Sequence, residues 1–369
     1  MEKYYKRTTQ ALTALLLLVL SVTSCKKFVD IDLPPKSLLA PYVLESNSSL
    51  VSALNGVYAG VASASMDAYV KPALFADELA SSTDLISTQN TYTPTDVSPY
   101  SFFANYYRVI YDANYLLEGL VSPPSGLSPD TVKQVQGECY FLRAFSNFQL
   151  TNYYGTPPLV LTTDFHVAAY APNASVDTLY GSIISDLKNA VALLPDSYPD
   201  ASGALVKRVR VNKQAANALL AKAYLYRKDW ADAITAAGNV IAANSLYQLS
   251  AGINTIFTPT STETIWQLWN TTGVTPVGPL LIPSSATVIP STTIRNEALN
   301  AFDTVNDLRF KSWMGSQTVG GTKYYYAYKY KLRATGGAGE YLVQLRLAEL
   351  FCIRQKARRS SCCNRHFAG

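Results

Sequence analysis

The stretch from Asn212 to Asn244 narrows the possible folds more than any other part of this sequence. Ala215, Leu219, Leu220 and Tyr224 recur at helical spacing on one segment, and Ala233, Ala237 and Val240 on the next. Arg227-Lys228-Asp229 forms a tight turn between them. Leu220, Ala221, Tyr224 and Ala233 fall at the spacing of a tetratricopeptide-type helix pair. The small Ala221 and Ala233 let the two helices approach closely, while Tyr224 fills the gap to a neighbour. One such pair cannot bury its own apolar face, so further helices must stack upon it. Two segments supply suitable faces. Val132, Val135, Cys139, Leu142 and Phe145 make one stripe in 131–154, and Leu179, Ile183, Ile184, Leu187, Val191 and Leu194 another in 175–194. No strict period relates them, so any repeats are degenerate. The expected fold is mainly α, a scaffold of tetratricopeptide-like helix pairs carrying a loop-rich, partly β ligand-binding face.

The remaining elements are read from the same signals. Helical spacing begins near Ser48 with Leu50, Val51, Leu54, Val57 and Tyr58, and Asn55-Gly56 allows a break inside it. A second candidate helix holds Leu74, Phe75 and Leu79. Ser81 to Pro99 is rich in Ser, Thr, Asn and Pro and reads as a long surface loop. Phe102 to Leu120 resumes helical character. Ser128 or Asp130 is placed to cap the next helix, which Tyr154-Gly155 and Pro157-Pro158 terminate. Beyond Ser245, Gly, Thr, Ser and Pro become frequent. Asn270 to Thr293 reads as loop or short strand, Tyr324 to Tyr330 as strand, and Tyr341 to Leu350 as helix.

The chain start fixes a compartment. Lys3, Lys6 and Arg7 precede an apolar run from Ala11 to Leu20 that is too short to span a bilayer and fits a secretory signal. Val22-Thr23-Ser24-Cys25 follows, an arrangement resembling the lipobox of bacterial lipoproteins. That resemblance implies cleavage before Cys25 and lipid on it, and acyl chains hold a protein on a membrane by burying methylenes. The resulting organisation is a signal peptide over 1–24, a lipidated tether over 25–41, one helical binding domain over 42–350 and an anomalous tail over 351–369. The formal net charge of +5 is modest, and no basic stripe of the kind nucleic-acid binding requires is present. The five cysteines make no disulfide framework: Cys139 lies in an apolar helix, and Cys352, Cys362 and Cys363 crowd the tail.

Several segments together resemble the RagB/SusD family of nutrient-uptake outer-membrane lipoproteins of Bacteroidota. They are Cys25-Lys26-Lys27-Phe28-Val29-Asp30, Gly137-Glu138-Cys139-Tyr140-Phe141-Leu142-Arg143 through Tyr154-Gly155-Thr156-Pro157-Pro158, and Ala218-Leu219-Leu220-Ala221-Lys222-Ala223-Tyr224 through Trp230. Asp307-Leu308-Arg309-Phe310, Tyr328-Lys329-Tyr330-Lys331 and Leu345-Arg346-Leu347-Ala348-Glu349-Leu350 follow in order. The resemblance implies a cell-surface lipoprotein in the outer membrane that binds oligosaccharide, starch-like or other, without cleaving it. It also implies a partner, a SusC-like TonB-dependent outer-membrane barrel over which the lipoprotein sits as a lid. Peptide or another nutrient in the same uptake role is the alternative ligand. Family members usually continue past the point where this sequence stops. The tail from Arg354, with its abrupt change of composition, therefore reads as a truncated or frameshifted end, or else as a short divergent terminus.

No enzyme motif, cofactor motif or metal-ligand spacing is present: there is no Gly-x-Ser-x-Gly, no phosphate-loop Lys and no His-Glu-x-x-His. His166 and His366 are the only histidines, and Cys362-Cys363 with His366 is a poor metal cluster in a basic tail. Asp77 and Glu78 are the nearest approach to a glycosidase pair, but neighbours on a helix point about 100° apart. A surface glycoside hydrolase is therefore the least favoured reading. Sugar binding needs aromatic platforms for the C–H face of a pyranose and polar groups for its hydroxyls. Twenty-six tyrosines make platforms abundant. Tyr92, Tyr100, Trp266, Trp269, Trp313 and Tyr324 are the loop aromatics that qualify, with Asp77, Asn90 and Asp96 as polar companions. In Ile265-Trp266-Gln267-Leu268-Trp269 the core is the plain destination of at least one of the two indoles.

Overall fold

A computed structural model describes residues 40–83, 101–199, 208–270, 273–334 and 339–366. It divides into two units, 1–43 and 44–369. Of the first, the described part is the single helical turn Ala40–Val43. Cys25, Asn90, Tyr92, Asp96 and Tyr100 all lie outside the described residues.

The described residues of the second unit form seven long helices: α1 (Asn47–Phe75), α2 (Ser101–Gly119), α3 (Pro129–Tyr154), α4 (Val176–Leu193), α5 (Lys213–Arg227), α6 (Trp230–Ala242) and, after the short α7 (Leu308–Trp313), α8 (Leu347–His366). Each of the first five packs on the next in chain order, and α8 closes on α6 and α5. This is the serial stacking expected from the helix pair at 213–242. Ser128 caps α3 by accepting from Thr131 N at 3.2 Å, Ser175 caps α4 by accepting from Thr178 N at 3.1 Å, and Asn212 caps α5 by accepting from Ala215 N at 2.9 Å. Gly137 explains how closely α3 meets the end of α4, since a Cβ there would lie 2.8 Å from Leu194 Cγ.

Two expectations are corrected. The two helices foreseen before residue 80 are one, running through Gly56 without a break and ending at Phe75, and Leu79 belongs to a strand. Leu50, Leu54, Val57, Val61, Ala64 and Ala68 keep the buried stripe continuous, which outweighs the cost of one glycine. Pro72 deprives the carbonyl of Ala68 of its helical donor, and the Tyr153 hydroxyl donates to that carbonyl instead, at 3.1 Å. Secondly, Tyr341 to Leu350 is not one helix. Leu342–Arg346 is a strand, with Leu342 and Leu345 buried, and α8 begins only at Leu347. Helix α8 itself runs on to His366, with Ile353 and Ala357 buried.

Among the described residues the strands form three two-stranded antiparallel ladders. β1 (Leu79–Ser81) pairs with β3 (Thr292–Ile294), β2 (Thr264–Leu268) with β6 (Leu342–Arg346), and β4 (Met314–Val319) with β5 (Thr322–Ala327). The last is a hairpin whose two turn residues, Gly320 and Gly321, both have positive φ (57° and 81°), as the tight turn between right-twisted strands demands. Among the described residues no helix is long and apolar enough to cross a membrane.

Candidate functional site

Two buried ionic clusters bind the helical stack, and they account for the residues that make the 137–143 segment recognisable. Arg143 of α3 donates to both carboxylate oxygens of Asp186 on α4, at 2.8 and 2.7 Å, and to Asn114 Oδ1 on α2 at 2.8 Å. Asn114 in turn donates to the carbonyls of Val160 and Thr162. Five residues earlier, Glu138 accepts from Tyr58 of α1 at 2.5 Å, from Gln134 at 2.6 Å, and from two nitrogens of Arg210. The Tyr58 oxygen accepts from Val211 N at 3.0 Å, which ties α1 and α3 to the approach of α5. Burial raises the carboxyls of Glu138 and Asp186 above their ordinary range, opposed by their arginines. With every charge matched, these clusters hold helices together.

The predicted site residues that the structure describes are divided among four places. Trp266 is a correction: it is fully buried, edge-on to Phe141 at 5.0 Å and to Phe145 at 5.1 Å, with its indole N–H donated to Val209 O at 3.3 Å. It therefore carries no ligand. The cause is a bulge in β2, where the register slips on both sides of Trp266, so that the strand buries residues on both faces.

Trp269, one residue past β2, stands at the opposite extreme. It is 44 % exposed, yet its ring is stacked on the buried Tyr341 with centroids 5.5 Å apart and planes 23° from parallel. The platform is thus rigid and open to solvent. It flanks a groove of about 570 Å³ along α1, whose lining includes Asn55, Ala59, Ser63, Met66, Arg210 and Asn270. Ala59 and Ser63 are small enough to admit a flat ring close to the helix, and Asn55 and Asn270 carry amides that can both donate and accept. Arg210 reaches the same lining already anchored on Glu138.

Further along α1, at its C-terminal end, Trp313 lines a second cavity of about 640 Å³. Its indole N–H donates to Ile253 O at 3.3 Å and its ring packs edge-on to Phe257 at 5.4 Å, so much of the side chain is engaged in holding the wall. Tyr324 is on strand β5, as the alternation from Tyr324 implies, and borders a polar cleft of about 360 Å³ with Arg295, Asn296, Glu297 and Lys323. Asp77 is not helical either. It follows α1 with φ of 57° and pairs with Arg295 at 3.4 Å. The structure thus brings Asp77 and Tyr324 to the neighbourhood of Arg295 and leaves Trp269 in a groove of its own. Sequence reasoning missed Asn55, Asn270 and Arg295. No periodicity distinguishes them, and only the fold brings them beside an aromatic ring.

Comparison with known proteins agrees with this architecture. A SusD-like family model, described as starch-binding and associating with outer membrane, matches residues 27–225. SusD-like protein P2 of Formosa agariphila is 26% identical over 251 residues, 63% of this chain and 46% of that protein, so the chain spans about half the length of this curated relative. The crystal structure of a SusD superfamily protein from Bacteroides thetaiotaomicron superposes with a TM-score of 0.72 at 21% identity, covering 86% of this chain and 77% of that one. A laminarin-binding SusD-like protein superposes with a TM-score of 0.67 at 19% identity, covering 85% and 80%. With the match across more than half its length and the same helical stack, the chain belongs to the SusD-like family.

Proposed function

We propose that this protein is a lipid-anchored, surface-exposed outer-membrane lipoprotein that binds oligosaccharide without cleaving it and delivers it to a SusC-like TonB-dependent barrel. The glycan lies in the groove along α1, with Trp269 as its platform and Asn55, Ser63 and Asn270 as hydroxyl partners. The observation that carries the reading is the exposed, pre-stacked Trp269 ring beside amides. An aromatic face takes up the apolar side of a pyranose, and a ring that is already immobile loses little conformational entropy on binding. The family description supports a glycan ligand and an outer-membrane setting, and the fold shared with a laminarin-binding protein is consistent with both. In this reading Cys25 bears the lipid, and diffusion of the glycan from groove to barrel requires no chemistry on the protein.

Native affinity electrophoresis of the full chain, through gels containing laminarin, amylopectin and other soluble polysaccharides, tests it. Retardation by one polymer is expected, and Trp269→Ala should abolish it while Tyr324→Ala leaves it largely intact. The reverse pattern would move the site to the cleft at Arg295. A sharp band that no polymer retards removes glycan as the ligand, and the same gel with a tryptic digest as competitor then examines peptides.

A further inference from the structure

Lys329 differs from its charged neighbours. Its ammonium lies 4.9 Å from the ring centroids of Tyr69 and Phe257 and 5.9 Å from that of Tyr330. Aromatic faces attract a cation, but they do not satisfy the three N–H donors of an ammonium as oxygen acceptors do. Among the described residues Lys329 makes neither a hydrogen bond nor an ion pair. The contrast with Lys331, two residues on, is direct: that ammonium donates to the carbonyls of Ser312 and Tyr328. The carboxylate whose field reaches Lys329, Glu349, is committed to Lys222 at 3.3 Å and Arg346 at 3.7 Å. Arg346 itself lies over Phe257 at 5.2 Å and repels the lysine. Burial, with Arg346 adding to it, holds the Lys329 pKa down to about 8.

This group lines the cavity of about 640 Å³ at the C-terminal end of α1, and it is the only basic residue of the described lining. The rest is chiefly apolar, with Leu281, Ile282, Ile294, Phe302 and Met314 among the walls. Glu78, the one acidic residue there, is exposed, and its carbonyl accepts from Arg295 N. Such walls offer a ring of sugar hydroxyls almost no partners, and burying hydroxyls unpaired is costly. They suit an apolar body, and the unpaired ammonium suits an anionic head. We propose that this cavity is a second binding site, distinct from the glycan groove, for a small amphipathic anion of which an acyl carboxylate is the simplest form. The carboxylate accepts from Lys329 Nζ, and the hydrocarbon lies against Leu281, Ile294 and Phe302.

Octanoate and its uncharged counterpart octanol separate the roles of head and body. In equilibrium dialysis against the full chain, octanoate should bind at least about tenfold more tightly than octanol, the scale of one charge-assisted hydrogen bond in a desolvated site. Lys329→Met, which keeps the stem and removes the charge, should bring the two within about threefold of each other, and it should leave retardation by polysaccharide unchanged. Equal binding of octanoate and octanol by the unaltered chain overturns the proposal, as does no binding of either. That comparison requires no variant, so it stands even where Lys329→Met fails to fold.

Discussion

The paired charges of the helical stack and the ammonium of Lys329 in the strand-rich region are treated in opposite ways. In the stack, Arg143 meets Asp186 and Asn114, and Arg210 meets Glu138, each with short, directed hydrogen bonds. In the strand-rich region Lys329 is surrounded by rings and meets no oxygen among the described residues. Matched charges secure an arrangement of helices. An unmatched one is retained at a cost to stability, which is the pattern of a group held for a ligand. The largest expected effect lies with the matched charges. Asp186→Ala leaves the Arg143 guanidinium buried beside a void, and a buried ion without its partner costs about 3–5 kcal/mol. Urea denaturation should show that loss, and Arg143→Met with Asp186→Leu should recover most of it. A loss below about 1 kcal/mol from Asp186→Ala would mean that water already reaches the pair, and the contrast between the regions would weaken.

The opposite sign is expected for Lys329→Met. The folded-state pKa of about 8 lies below the ordinary lysine value of 10.5. Between these values the unfolded chain binds more protons than the folded one, so stability rises with pH in that window. Below about pH 8 the penalty for holding the ammonium is fully present, and above about pH 10.5 it has gone. Lys329→Met should therefore be more stable than the parent at pH 7 by about 2 kcal/mol, part of the nominal shift being offset by the lost cation–π attraction. The gap should close as pH rises through the window. Thermal unfolding of both proteins from pH 6 to 10 measures it. A variant that is less stable at pH 7 would show that the rings satisfy the cation unaided.

The same division runs through what the sequence makes legible. Helices α2 to α6 follow from their apolar periodicity, helped at α3, α4 and α5 by side-chain caps, because each stripe is a property of one segment and its neighbour in the chain. Cys139 is buried as its surroundings imply. The strand-rich region is decided by partners remote in sequence. β1 pairs with β3 across more than two hundred residues, and β6 becomes a strand because β2 is there to receive it. Without those partners Tyr341 to Arg346 has helical spacing, and Trp266 and Trp269 look alike. A bulge that sequence cannot announce sends the first indole into the core and leaves the second on the surface. Lys329 lay within a segment that resembled the family, but its isolation depends on Tyr69 and Phe257, brought from elsewhere in the chain.

The smallest effects should reveal whether the two regions unfold together. Ser175 and Asp307 cap helices by the same device, a side-chain oxygen accepting from a backbone N–H in the first turn, at 3.1 Å from Thr178 N and 2.8 Å from Arg309 N. Helix α4 buries Leu179, Ile183, Leu187 and Ala190 in the stack, so its first turn belongs to the cooperative core. Helix α7 buries no residue. Ser175→Ala should cost about 1 kcal/mol of global stability, the usual worth of an N-cap. Asp307→Ala should leave the global transition unmoved while amide exchange in 308–313 accelerates, because a turn with no buried side chain opens without opening the core. Equal losses from the two substitutions would mean that the strand-rich region is as tightly coupled to the stack as the helices are to one another. The cavity at Lys329 would then be a rigid one, formed before any ligand arrives.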